Sequence, residues 1–394
     1  MRDVYIVNGA RTPIGKFGGV LASQTAVQLG TIAAQAALER SGLPKTAVDS
    51  VMVGNVIQAG NGQNPGRQVA LHAGLPVDVP AMTLNAVCGS GLQAVNLEAK
   101  LISLGDIDTA IAGGTESMTN APYLVRQGRF GYRFGPGNFE DSLESDALDD
   151  AFYGYPMGMT AENIAAKCHV SRRQMDEYAH QSQDKAVSAQ QAGMFDDEIV
   201  PVPVKDGHGH VKMVKVDEPP RPHTDVETMG KLKPAFKKGG KVTAGNASGI
   251  NDGAAMVALA SGATVKKYGL HPMARWRAGK MTALDPAFMG LGPISAVRKT
   301  LAQVKLNPTD VDCYEINEAF AAQMLPVISA LGIKQEVVNP RGGAIALGHP
   351  VGASGARILV TLLYEMQQEQ LDRGVATLCV GGGMGVAAMV ERCK

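Results

Sequence analysis

The chain has 394 residues, 45% of them hydrophobic and 19% charged, with zero net charge at neutral pH. That is the balance of an ordinary globular protein with room for two or three domains, and it lacks the basic stripe of a nucleic-acid binder. No run of about 18 apolar residues marks a membrane span. The five cysteines (88, 168, 313, 379 and 393) are odd in number and scattered, unlike a disulfide framework or a cysteine zinc site.

In chain order, residues 4–9 read as a buried strand, and nothing before them has the pattern of a targeting leader, so the expected compartment is the cytoplasm. Residues 23–41 read as a helix with Leu29, Ile32, Ala33, Ala36 and Ala37 on one side and Gly42 as its stop. Residues 48–57 read as a second strand. GSG (89–91) opens a helical run, and DTAIAGG (108–114) reads as a strand ending in two glycines.

The second half echoes this order. VDCYEIN (311–317) matches VDSVMVGN (48–55). ASG (353–355) opens a helical run as GSG does, and ATLCVGGG (376–383) ends as DTAIAGG does. Two similar halves of parallel strands would place their glycine-rich strand ends on one shared face.

Residues 118–249 fit neither half. GRFGYRFGPGNFE (128–140) is too rich in glycine and aromatics for a regular element. A helix over 171–193 follows, with Ser171 and Gln174 as a capping box and Gly193 as its stop. KDGHGHVK (205–212) reads as a hairpin. The expected division is a first half over 1–117 completed by about 250–270, an inserted loop domain over 118–249, and a second half over 271–394.

Four stretches carry chemistry. In LNAVCGSGLQA (84–94), Cys88 stands at a strand-to-helix turn, where a helix N-terminus favours thiolate. Its ordinary pKa of about 8.5 is expected to fall toward neutrality there. In GGAIALGHPVGASGA (342–356), His349 occupies a loop between glycine and proline, a poor place for core filling and a good one for taking a proton from Cys88. Cys379 precedes Gly381, Gly382 and Gly383, and the echo puts it on the face of Cys88. Asn317, in EINEAFAAQ (315–323), ends a strand, where an amide orients a base or caps the following helix.

In this order the four stretches, with VNGARTPIGKFGG near the start, strongly resemble the thiolase family, and the likeness spans nearly the whole chain. The resemblance implies a five-layered αβαβα fold of two similar halves with an inserted CoA-binding loop domain, usually assembled as a homotetramer. It implies acyl-CoA substrates and the reversible Claisen condensation of two acetyl-CoA to acetoacetyl-CoA and CoA, with no metal or redox cofactor. Cys88 would carry the acyl group, His349 would activate it, and Cys379 would move the α-proton. Asn317 would hold a water that forms one oxyanion hole with His349, and backbone N–H groups of Cys88 and Gly381 would form the other. CoA contacts would fall on Arg221 and Ser248 and on an apolar lining of Ala244, Phe236, Met157, Met289, Ala319 and Phe320. Three positions depart from the short-chain pattern: Pro156 stands for the usual histidine, Arg341 for an asparagine and Ile316 for an alanine.

Other readings have less in their favour. Decarboxylating ketoacyl synthases share the fold and the nucleophilic cysteine but lack a second active-site thiol. A longer-chain degradative 3-ketoacyl-CoA thiolase would use the same residues, and an inactive acyl-CoA binder would not need all four. His208 and His210 make a weak zinc pair with no cysteine nearby.

Overall fold

The computed structural model describes residues 2–205, 207 and 209–393. Asp206 and His208 lie outside the described residues, and with them the expected hairpin tip and the His208–His210 pair. Among the described residues, no group of three or more His, Cys, Asp or Glu side chains is placed to hold a metal, and no helix is long and apolar enough to cross a membrane.

The first half supplies β1 (Val4–Arg11), α1 (Ala26–Ser41), β2 (Ser50–Gly54), β3 (Ala81–Leu84), α2 (Ser90–Leu104) and β4 (Thr109–Ser117). Helix α1 starts three residues later than expected because Thr25 and Gln28 form its capping box, and it ends at Gly42 in the left-handed conformation. The inserted region contributes α3 (Met157–Lys167), α4 (Arg172–Gln191) and the hairpin of β5 (Val202–Lys205) with β6 (Val211–Val214). The Ser171–Gln174 capping box of α4 is present. After it come β7 (Asn251–Ser261), β8 (Ala274–Ala283), α5 (Gly292–Gln303), β9 (Cys313–Ile316), α6 (Ala321–Leu331), α7 (Val351–Gln368), β10 (Arg373–Val380) and β11 (Met384–Arg392).

The sheet runs β9-β10-β11-β8-β1-β7-β4-β2-β3, and read outward from the β8–β1 seam the two halves match. Strand β8 answers β1, β11 answers β7, β10 answers β4 and β9 answers β2. Only a single bridge between Tyr314 and Val338 stands where β3 would have its partner. Strand β7 sits between β1 and β4, so a segment beyond the insertion completes the first half. The strands are not all parallel as expected. Only β2–β3, β2–β4 and β9–β10 run parallel. A turn at Gly381–Gly383 joins β10 to β11, and so short a link permits only an antiparallel pair.

Helices α2 and α7 pack on each other and on strands of both halves, while α1 covers the first half and α5 the second. This gives the αβαβα layering. Fifteen of the eighteen residues of α7 are buried, as expected of a helix enclosed on all sides. The two central helices meet at backbone contact. A Cβ on Gly91 would lie 2.9 Å from the amide nitrogen of Ala356, and one on Gly355 would lie 2.5 Å from that of Leu92. Strand β4 does not end at its glycines but runs through them to Ser117. Those glycines make room instead, since a side chain on Gly114 would strike the carbonyl of Gly352 at the start of α7.

Buried ion pairs tie the insertion to the first half. Arg11 in β1 bonds Glu198 at 2.5 Å and Asp217 at 2.7 and 2.8 Å, with both partners buried. Removing one partner would strand a buried charge, at a cost of about 3–5 kcal/mol.

Candidate active site

Cys88 lies on a sharp turn between β3 and α2. Val87, a β-branched residue, is held at φ +47°, a strained conformation that persists only where neighbours enforce it. They do so here. The Val87 amide donates to Asn85 Oδ1 at 2.9 Å, the Ala86 amide donates to Ser90 Oγ at 2.9 Å, and Ser90 donates to the Val87 carbonyl at 2.6 Å. The turn aims the Cys88 sulfur at two backbone N–H groups, its own and that of Gly381.

The proton affinity of Cys88 is the reverse of the expectation. Burial pushes the thiol up to about 11, and the two N–H groups recover only part of that rise. Desolvation of the thiolate outweighs the helix terminus because the sulfur is buried among protein atoms at the cavity wall.

His349 is also buried. Its backbone amide donates to Asn251 Oδ1 at 2.9 Å. Its Nδ1 lies 2.5 Å from Ser354 Oγ, and Ser354 donates its one hydroxyl proton to the Pro350 carbonyl at 2.9 Å. Nδ1 therefore carries the imidazole proton, and Nε2, which has no protein partner, presents a lone pair. Burial, and next the charge of Arg357, lower the imidazole from 6.5 to about 4. His349 is a neutral base at physiological pH. Asn317 follows β9 and brings its Nδ2 to 3.5 Å from His349 Nδ1, which is contact more than a hydrogen bond, while its Oδ1 is buried without a partner.

Cys379 is fully buried near the end of β10, two residues before the Gly381 amide that faces Cys88. Its thiol donates to Gln323 Oε1 at 3.1 Å. Burial first, and the neighbouring Cys88 second, hold this thiol well above the ordinary range.

Cys88, His349 and Gly381 open onto a largely apolar cavity of about 610 Å³. All eight residues expected to contact CoA line it: Arg221, Ser248, Ala244, Phe236, Met157, Met289, Ala319 and Phe320. Phe236 and Phe320 meet edge to face at 6.2 Å. Gly158 lies beneath the Phe236 ring, where any side chain would collide with it. Arg221 is exposed at this cavity. Pro156 lines the cavity too, whereas Ile316 is buried away from it and Arg341 is buried with its Nη1 on the Met194 carbonyl at 2.9 Å. Of the three departures, only Pro156 bears on substrate fit.

The family model for the thiolase N-terminal domain matches residues 4–263, and that for the thiolase C-terminal domain matches residues 270–392. The chain belongs to the thiolase family. This thiolase is 50% identical over 390 residues to an acetyl-CoA acetyltransferase of Allochromatium vinosum, covering 99% of each chain. It is 50% identical over 392 residues to one of Cupriavidus necator, covering 100% of each. Its fold matches the crystal structure of the Bacillus anthracis acetyl-CoA acetyltransferase with a TM-score of 0.97 at 42% identity, covering 100% of this chain and 99% of that one. The human mitochondrial 3-ketoacyl-CoA thiolase matches with a TM-score of 0.96 at 42% identity, over the same shares of the two chains.

Sequence reasoning about this thiolase missed several residues at the site. Ser354 sits five residues past His349 in the first turn of α7. Gln323 ends the motif that holds Asn317, and its spacing there was the only available signal. Phe17, Val87, Met118, Leu148 and Val351 line the cavity beside Cys88, and no pattern in the sequence linked them.

Proposed function

We propose that this thiolase catalyses the reversible Claisen condensation of two acetyl-CoA to acetoacetyl-CoA and CoA through an acyl-Cys88 intermediate. The observation that carries this reading is a nucleophilic thiol with a neutral imidazole at the wall of an apolar cavity, and a second buried thiol close behind it. The full-length relatives named acetyl-CoA acetyltransferase favour the short-chain substrate over the longer-chain degradative one.

In the proposed sequence, Cys88 gives its proton to His349 Nε2 and its sulfur attacks the thioester carbonyl carbon. Charge on that oxygen meets the N–H groups of Cys88 and Gly381, each donor lowering the barrier by about 3–4 kcal/mol. The C–S bond to CoA breaks, the CoA sulfur takes the Cys379 proton, and acetyl-Cys88 remains. The Cys379 thiolate then removes an α-proton from the second acetyl-CoA. The resulting enolate oxygen is held by the protonated His349 and by a water on Asn317, whose Oδ1 has no protein partner. The enolate carbon attacks the acyl carbonyl, the bond to Cys88 breaks, and the imidazolium returns its proton to Cys88. Every step is acyl or proton transfer, so the proposal invokes no metal or redox group.

The same reading includes CoA held by Arg221, Ser248 and the apolar lining, a cytoplasmic location, and assembly into a homotetramer. Phe130, Phe134 and Phe139 in the inserted region are strongly exposed, which suits a surface covered by another copy.

The test is acetyl transfer itself. Incubation with acetyl-CoA should add one acetyl group at Cys88 by peptide mass spectrometry, and thiolysis should be fastest with acetoacetyl-CoA across a series of 3-ketoacyl-CoA lengths. No adduct on Cys88, or a maximum at a longer chain, would overturn the reaction or the substrate respectively.

A further inference from the structure

The two active-site thiols differ in their polar partners. The Cys88 sulfur meets two backbone N–H groups, its own and that of Gly381, whereas Cys379 meets its own N–H and donates to the carbonyl oxygen of Gln323 at 3.1 Å. Gln323 is fully buried near the start of α6. Its amide orientation is fixed from the other end, because Nε2 lies 3.4 Å from the Asn317 carbonyl and 3.2 Å from Met324 Sδ. Turning the amide over would set its oxygen against the Asn317 carbonyl oxygen, acceptor on acceptor. Packing holds the residue as well, since a Cβ on Gly290 would lie 2.8 Å from that of Gln323.

We propose that Gln323 is the positioning residue of the second thiol: by accepting the Cys379 S–H through Oε1 it keeps Cys379 protonated at rest and makes the thiolate formed in turnover a stronger base toward the substrate α-carbon. This rests on the reading that Cys379 moves the α-proton. A carbonyl oxygen favours the thiol over the thiolate, as N–H donors at Cys88 favour the reverse. A thioester α-C–H is a weak acid, so a base of high proton affinity suits its removal. The proton given up by Cys379 goes to the departing CoA sulfur, and the α-proton replaces it, so the cycle balances. Burial, and next Cys88, already raise Cys379, and the oxygen of Gln323 acts in the same direction. Gln323 thus gives the two thiols different work although both lie in one buried site.

The experiment compares two rates in each variant: acetylation of Cys88 by acetyl-CoA, and uptake of deuterium into the acetyl-CoA methyl group in deuterium oxide. Gln323→Met should not slow acetylation, because Cys379 without its acceptor gives its proton to the departing CoA sulfur at least as readily, but it should lower deuterium uptake by about tenfold and move the pH profile of uptake to lower pH. Gln323→Glu, kept neutral by burial, retains an acceptor oxygen toward Cys379 and an O–H donor toward the Asn317 carbonyl, and should bring uptake back to within about threefold of the parent. Equal losses in both rates would reduce Gln323 to a structural role, and unchanged uptake in Gln323→Met would also overturn the proposal. Cys379→Ala separates the two levels of inference. If that variant still exchanges at the parent rate, the α-proton reading fails and the role of Gln323 falls with it. If it does not exchange while Gln323→Met does, only the Gln323 proposal is lost.

Discussion

The Nδ1 of His349 lies 2.5 Å from the hydroxyl oxygen of Ser354, in the first turn of the buried central helix. With Ser354 donating to the Pro350 carbonyl, this contact assigns the imidazole proton to Nδ1 and leaves Nε2 for the role we propose, accepting a proton from Cys88. Ser354→Ala removes the acceptor and leaves the tautomer unassigned. We expect Cys88 acetylation to slow by about tenfold to a hundredfold, with a stability loss of only about 1–3 kcal/mol. Rapid-quench acetylation beside denaturant unfolding checks both, and a loss confined to stability would reduce Ser354 to a packing role.

The proton affinity of Cys88 gives a second expectation. With the thiol at about 11 and His349 at about 4, the free enzyme holds a neutral thiol and a neutral imidazole, not an ion pair. Alkylation of Cys88 by iodoacetamide should rise steadily with pH through neutrality into the alkaline range. A plateau near pH 7 would mean that the thiolate is already formed. Cys88→Ser should give no acetyl adduct at any pH, because a hydroxyl is far harder to ionise.

His349 also makes stability depend on pH. Its folded pKa of about 4 lies below the unfolded 6.5, so between these values the unfolded chain binds a proton that the native protein does not. Stability therefore falls as pH drops from above 6.5 toward 4, and this contribution levels off below that. His349→Asn lacks this contribution. Its stability relative to the parent should improve across that window, by up to about 3 kcal/mol. Denaturant titrations of both proteins at pH 8, 6 and 4.5 measure the difference, and parallel curves would disprove it.

Pro156 lines the cavity and precedes α3 as its N-cap without any capping hydrogen bond from its side chain. A histidine there adds a donor or acceptor that proline lacks. One such bond is worth about 0.5–1.5 kcal/mol, so Pro156→His should lower KM for acetoacetyl-CoA by roughly two- to tenfold with little change in kcat. Steady-state thiolysis decides this, and an unchanged or higher KM would mean that the contact has been rebuilt elsewhere.

Homotetramer assembly is tested at the exposed aromatics. Replacing Phe130, Phe134 and Phe139 together by serine should give smaller species by light scattering than the parent, which is expected as a tetramer. If the parent is already monomeric, or the variant remains tetrameric, these side chains are not the contact.

Much of the candidate site is legible in the sequence because its residues sit in short local motifs. A cysteine before Gly-Ser-Gly, a histidine between glycine and proline, and a cysteine before three glycines each mark a turn where backbone must come close. The eight residues expected to contact CoA followed from the family likeness, and all line one cavity. Elsewhere local reading fell short. The glycines of β4 looked like a strand end but make room for the start of α7, a contact across more than 200 residues. Gln323 and Ser354 looked like helix residues of no special kind, because what distinguishes them is the partner each meets after folding.

The sequence by itself determined the two-half order of elements, the turns that carry Cys88, His349, Asn317 and Cys379, and the family, since these rest on local residue patterns and their spacing. Only the tertiary structure decided the proton affinities. Cys88 stands where a helix begins, yet its thiol is raised because burial removes the water that would solvate its charge. Desolvation depends on every neighbour that closes the site, and those neighbours come from the inserted region and from both halves of the chain.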